Sequence, residues 1–145
     1  MIIAATSFHW IDPSIAYVKS AAVLKSNGSL AVFSNEHIRR NERFFLRVQD
    51  IYRATLGPET NTKRNIEKPA GMELFGKPIV RRYQWAIEYT AKEYIDLLGT
   101  YSDNISLPEA KRRSLFSGIA DLINGEYGGK VLKHDETVLQ LRKKK

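Results

Sequence analysis

The chain opens on an unbroken apolar run, Met1-Ile2-Ile3-Ala4-Ala5, and continues through Thr6-Ser7-Phe8-His9-Trp10 without alternating apolar and polar positions. Such a run fits a strand buried on both faces, as in a parallel sheet, and Ile2 to Phe8 is assigned to it. Asp12-Pro13 reads as a helix start, a carboxylate at the N-cap with proline at the first helical position. The predicted helix, Ser14 to Lys25, stops at Ser26-Asn27-Gly28. Ser29 to Ser34 is a second apolar strand. Together these segments predict a β-α-β unit with a right-handed parallel crossover.

From Asn35 or Glu36 to Leu56 the period becomes helical, and Gly57-Pro58 ends it. Phe44, Val48, Ile51 and Tyr52 share one face, while Arg39, Arg40, Arg43 and Arg47 form a basic stripe beside it. Residues 59–76 show no period, so 36–77 reads as a helix followed by a lid-like insertion, with a short turn near 71–75. Ile79 to Tyr89 alternates, placing Tyr83, Trp85, Ile87 and Tyr89 on one side of a half-buried strand. Thr90 with Glu93, and Ser106 with Glu109, are spaced as capping boxes. The first opens a helix to Leu98. The second opens a helix whose apolar face is Leu115, Ile119, Leu122 and Ile123. Gly128-Gly129 precedes a last strand, Lys130 to Arg142. The order predicts an α/β fold of about four strands, a parallel pair plus an antiparallel edge pair, with helices on both faces. Residues 1–145 are expected to form a single domain.

Composition narrows the chemistry. The 145 residues are 43% hydrophobic and 27% charged, an ordinary globular balance. There is no cysteine, which excludes disulfides, thiolate zinc ligands and cysteine nucleophiles. No apolar run approaches the ~20 residues of a membrane span. The start lacks the charged and apolar regions of a signal peptide, so the expected compartment is cytoplasmic. Three histidines, His9, His37 and His134, stand at no metal-ligand spacing, so no metal site is expected. The net charge of +7 lies largely in the arginine stripe and the lysine tail. That stripe has two readings: a phosphate-contacting surface, or a solvated face paired with Glu36, Glu42 and Asp50. Aromatic residues are not interleaved with it as a stacking platform requires, so nucleic acid is the less favoured partner.

Several segments, taken together, resemble the C-terminal half of class I S-adenosylmethionine-dependent methyltransferases of the small-molecule branch. They are Ala4-Ala5-Thr6-Ser7-Phe8-His9-Trp10-Ile11-Asp12, then Ala22 to Phe33 with its Leu24-Lys25-Ser26-Asn27-Gly28 turn. Tyr89-Thr90-Ala91-Lys92-Glu93-Tyr94, Thr100-Tyr101-Ser102-Asp103 and Tyr127-Gly128-Gly129-Lys130-Val131 follow in the same order. The family turn has Pro-Gly where this chain has Ser26-Asn27, and Asn tolerates the left-handed conformation needed there.

The resemblance implies a Rossmann-like methyltransferase sheet, with this chain supplying strands four to seven. It implies a transferase acting on a small or lipid-like molecule with S-adenosyl-L-methionine as cofactor. The glycine-rich loop and acidic residue that hold that cofactor in the family do not occur here, so the chain is expected to be truncated and without cofactor-binding residues of its own. His9, Trp10 and Asn35, at strand ends, are the implied substrate-binding residues. For His9 and Trp10 the alternative is local, a hydrogen bond at the strand end and packing against the next helix, and Asn35 has the same two readings. Tyr101 is expected to pack between helices and Asp103 to cap one. The exposed first strand, Ile2 to Phe8, implies either a homodimer or a complementary chain paired along it. A non-catalytic, self-associating remnant and a basic nucleic-acid-binding module are the alternatives to an enzyme.

Overall fold

A computed structural model describes residues 1–38, 42–58 and 69–145. Its elements run β1 (Ile2–Ala5), α1 (Pro13–Val23), β2 (Ser29–His37), α2 (Glu42–Leu56), β3 (Ile79–Thr90), α3 (Ala91–Leu98), α4 (Ser102–Ile105), α5 (Glu109–Glu126) and β4 (Lys130–Lys143). Short 3-10 turns stand at Phe8–Trp10 and Met72–Leu74. The four strands form one mixed sheet in the order β1-β2-β4-β3. β1 and β2 are parallel, with Ile2 opposite Leu30 and Ala5 opposite Phe33. β4 returns antiparallel along the whole of β2, from Ser29 opposite Lys143 to His37 opposite Asp135. β3 lies outermost beyond β4, and the pairs Lys130–Glu88, Trp85–Thr137 and Phe75–Lys144 give its antiparallel sense. The α/β architecture and both strand pairings are as the apolar patterning predicts.

The described residues gather into two compact units. The first comprises Met1–Ile38, residues 69–85 and Asp135–Lys145. Its core is small: Ala21, Leu24, Leu30 and Phe75 are buried, with Ile2, Phe8, Tyr17 and Val32 packed on them. α1 begins where predicted, because the Asp12 carboxylate accepts from the Ser14 backbone N–H at 2.8 Å and its hydroxyl at 2.7 Å. The turn Met72–Leu74 packs on α1 through Gly71, whose φ is +81°. A Cβ at Gly71 would stand 2.7 Å from the Val18 backbone nitrogen, so only glycine allows this approach.

The second unit comprises residues 42–58 and Ala86–His134. Phe44 and Val48 of α2, Tyr94 and Leu98 of α3, Leu115, Ile119, Leu122 and Ile123 of α5 and Val131 of β4 share one buried cluster. Phe44 meets Tyr94 and Tyr127 edge-to-face, with centroids 5.4 and 5.1 Å apart. Asn104 is buried and satisfied on both sides: its amide donates to Leu98 O at 2.9 Å and its carbonyl accepts from Tyr52 OH at 3.1 Å. Burial pushes the Tyr52 phenol above its usual range, an effect that the Asn104 bond opposes.

Several boundaries differ from expectation. β1 ends at Ala5 rather than Phe8, because Thr6 turns into the left-handed region at φ 46° and the next residues coil into a 3-10 turn. Asn35 and Glu36 extend β2 instead of opening a helix, since β4 is long enough to pair with them as far as His37. The Thr90–Glu93 capping box forms with both reciprocal bonds. The second box does not. α5 begins at Glu109 with Pro108 as an uncapped boundary, and the Ser106 hydroxyl donates instead to Asp103 O at 2.8 Å. Asp103 lies in the first turn of α4, whose N-cap Tyr101 has no side-chain bond, so Asp103 does not cap. Tyr101 packs against the second core as expected. β3 is more exposed than a half-buried strand: Tyr83 and Ile87 are 56% and 44% accessible.

Candidate functional site

At the C-terminal end of β1, beside the middle of β2 where the parallel pairing stops at Ala5 and Phe33, the first unit carries a crevice of about 240 Å³. Open α/β sheets bind ligands at the carboxyl ends of parallel strands, so this is the position to examine. Thr6, leaving β1, still donates its backbone N–H to Phe33 O at 2.8 Å while its own φ is 46°. A β-branched residue is strained there, and the strain aims the following Ser7-Phe8-His9 segment over the sheet. Trp10 N and Ile11 N donate to Ser7 O and Phe8 O, closing the turn. Thr6, His9, Tyr17, Ser34, Gln140 and Arg142 line the crevice together with the apolar Phe8, Val32 and Phe33. The floor follows from strand period and register: Val32 faces Gln140 and Leu30 faces Arg142 across the β2–β4 ladder.

The sequence-derived candidates divide. His9 lines the crevice. Trp10 lies beside it, with ring centroids 4.8 Å apart and the planes tilted by 42°, but is 70% accessible and is not part of the lining. Asn35 follows Ser34 on β2, so alternation turns it to the other face of the sheet. Its carbonyl accepts from the Thr137 hydroxyl at 2.7 Å, which in turn accepts from Trp85 Nε1 at 3.0 Å. The structure therefore brings His9 to the crevice and gives Asn35 a place in a cross-strand polar chain.

Two features escape a reading of sequence. His37 and Asp135, 98 positions apart, are register partners, and their Nδ1 and Oδ1 atoms lie 2.8 Å apart. Asp135 is buried at 2% exposure while the His37 side chain is 47% exposed, so a buried carboxylate orients a solvent-facing imidazole. Next to them Arg82 is paired with Glu136. Arg142 is the second feature. It is half-buried in the crevice, and its one hydrogen bond among the described residues goes to Gly76 O at 3.4 Å. Nothing in the terminal Leu141-Arg142-Lys143 segment marks this arginine out; only the β2–β4 register places it beneath His9.

Of the basic stripe on α2, Arg47 pairs with Glu126 rather than with the expected Glu36, Glu42 or Asp50, and Asp50 pairs with Arg53, which lies outside the stripe. Arg39 and Arg40 lie outside the described residues. Among the described residues no group of three acidic or histidine side chains could hold a metal ion, and no helix is long and apolar enough to cross a membrane.

The residues around the crevice do not fit S-adenosylmethionine. Residues 6–12, joining β1 to α1, contain no glycine. Their N–H groups at Thr6, Trp10 and Ile11 are committed to Phe33, Ser7 and Phe8 carbonyls. The start of α1 is capped by the Asp12 carboxylate rather than open to a ligand's anion. Among the described residues no acidic side chain lines the crevice to take ribose hydroxyls.

No protein-family model matches the chain, and no curated protein matches it. Solved structures do. A protein described as a "Putative Type II Methyltransferase" from Anaeromyxobacter dehalogenans aligns with a TM-score of 0.55 at 16% identity, over 99% of this chain and 63% of its own length. A "Putative Methyltransferase" from Bacillus halodurans aligns at 0.43 and 13% identity, over 97% of this chain and 67% of its own. MccD protein aligns at 0.40 and 14% identity, over 99% of this chain and 60% of its own. The chain thus spans about two thirds of the length of the proteins it resembles. The first of these likenesses assigns the fold: a methyltransferase-like α/β sheet.

Proposed function

We propose that this chain is a methyltransferase-family protein that supplies the substrate-side part of a small-molecule methyltransferase. The observation that carries this reading is the crevice where β1 ends and its parallel pairing with β2 stops, lined by His9 and Ser34, in a sheet with the fold of a methyltransferase-like structure. On this reading S-adenosyl-L-methionine, when present, supplies the methyl group, and elements outside these 145 residues or on a complementary chain hold it. What the chain's own residues do is bind and orient: Phe8 and Tyr17, edge-to-face at 5.2 Å, form an apolar wall, and the strained Thr6 turn fixes His9 above it. The substrate is a small or lipid-like molecule. Trp10, exposed beside His9, is proposed as a further substrate contact, one that would form when a substrate extends beyond the crevice.

The test is calorimetric titration with S-adenosylmethionine of the purified chain and of the chain isolated with whatever associates with it in its source cells. The expected result is no heat from the chain alone and saturable binding by the complex. Absence of binding in both would overturn the reading.

A second reading concerns partners and rests on β1. It is the end strand of the sheet, and Met1 and Ile3 are 77% and 60% accessible. An apolar end strand with an open edge favours pairing with another chain, either a second copy of this one or a complementary chain. Light scattering is expected to give a mass above 16.6 kDa for the isolated chain if the pairing is to itself. A concentration-independent monomer would leave only the complementary chain.

A further inference from the structure

We propose that the crevice selects an anionic ligand, and that Arg142 is the residue that selects it. The inference deepens the reading of this crevice as a substrate site by naming the charge of what enters. It starts from an imbalance. Arg142 carries a permanent positive charge. It is half-buried, lines the crevice, and is in no ion pair among the described residues. Its single hydrogen bond, at 3.4 Å to Gly76 O, leaves most of a five-donor fork unused.

The rest of the described lining adds no negative charge to balance it. Among the described residues no aspartate or glutamate contributes to the crevice; its other polar groups are Thr6, Ser7, His9, Tyr17, Ser34 and Gln140, all able to donate to an oxyanion. Among the other described arginines, Arg47, Arg53, Arg82 and Arg113 are each paired with a carboxylate, Arg43 and Arg81 are exposed, and Arg112 donates to Ile105 O. A partly desolvated guanidinium without a counter-charge is costly to keep unless a ligand supplies one.

Shape limits the ligand. About 240 Å³ is below the ~300–1,000 Å³ of sites for drug-sized molecules, and Phe8, Val32 and Phe33 supply apolar walls beside the polar groups. The fitting ligand is a compact molecule with one oxyanion, carboxylate or phosphate, on an apolar body. The guanidinium takes the oxyanion by paired N–H···O bonds, and the ring or chain lies against Phe8 and Phe33.

The experiment uses the intact chain, labelled with nitrogen-15, and follows the Thr6 and Ser34 amides while benzoate, phenyl phosphate and neutral benzamide are titrated in separate arms. Benzoate or phenyl phosphate is expected to shift these amides saturably, and benzamide at least tenfold more weakly. Which anion binds tighter decides between a planar and a tetrahedral oxyanion. Arg142→Gln is expected to weaken anion binding about ten- to hundredfold. Should that variant fail to fold, Gln140→Glu places a carboxylate two residues from Arg142 on the same strand face and should abolish anion binding while keeping the fold. Equal binding of benzamide and benzoate, unchanged anion affinity in Arg142→Gln or Gln140→Glu, or no shift with either anion would overturn the proposal. None of these readouts depends on methyl transfer. A neutral molecule found in the crevice would defeat the anion proposal and spare the enzyme reading; failed cofactor titration with intact anion binding would do the reverse.

Discussion

The two compact units are built with opposite priorities. In the second, Leu115, Ile119 and Ile123 are fully buried on one helix and are met by aromatic and aliphatic residues from α2, α3 and β4. In the first, Leu30 alone reaches that degree of burial in the apolar cluster; its companions Ile2, Phe8, Tyr17 and Val32 are only partly covered, and Val18 and Val23 of α1 are 44% and 74% accessible. The first unit also holds the strained Thr6, the buried acid Asp135 and the unneutralised Arg142. The crevice proposed as a substrate site thus lies in the unit with the sparser apolar packing.

The largest expected effect tests that contrast directly. Ile119→Ala removes a fully buried side chain from the dense cluster and should cost about 3–5 kcal/mol, read from urea midpoints. Leu30→Ala, equally buried, should cost about 2–3 kcal/mol, because its half-exposed neighbours can collapse into the space. An equal or larger loss at Leu30 would mean that the small core is as rigid as the large one.

A smaller effect is expected at Asp135. Asp135→Asn keeps the shape but removes the charge that faces His37, and the expected loss is about 1–2 kcal/mol. The complementary variant, Asp135→Leu, decides what the acid is for. If it is as stable as the parent, the buried carboxylate is not part of what holds the first unit together.

Much of this was legible in the residues. The unbroken apolar runs of β1 and β2 announced a parallel pair, and Asp12-Pro13 and Thr90 with Glu93 marked two helix starts that the structure keeps. What could not be read depends on partners distant in sequence. Asn35 looked like a helix start because nothing local reveals that Thr137 pairs with it across β4. The Ser106–Glu109 spacing failed for a local reason: Pro108 becomes the boundary residue of α5 and Ser106 turns back to Asp103. Of the crevice, His9 was visible as a polar residue at a strand end. Arg142 was not, since its place follows from a register that spans more than a hundred residues.

The smallest effect compares the helix starts of the two units by their response to acid. The Glu93 carboxyl is held below its ordinary value of 4.5, first by the Thr90 backbone N–H and then by the Thr90 hydroxyl. The Asp12 carboxyl is held below 3.8, first by the Ser14 hydroxyl and then by the Ser14 N–H. Both are depressed carboxyls, so each cap's contribution is complete above the unfolded value. It is lost as pH falls from there through the lower folded value. Amide hydrogen exchange resolves the two helices separately. Acidification from pH 5 towards pH 3 should lower protection in the first turns of α1 and α3; Glu93→Gln should flatten that response in α3 alone, and Asp12→Asn in α1 alone. The α3 response should be the deeper of the two, because Thr90 and Glu93 form a reciprocal pair, and α3 packs on the dense core through Tyr94 and Leu98. If α1 instead responds more strongly, a single cap contributes more to the sparsely packed unit than a double one to the densely packed unit. Local capping would then be compensating for the thin core beneath the crevice.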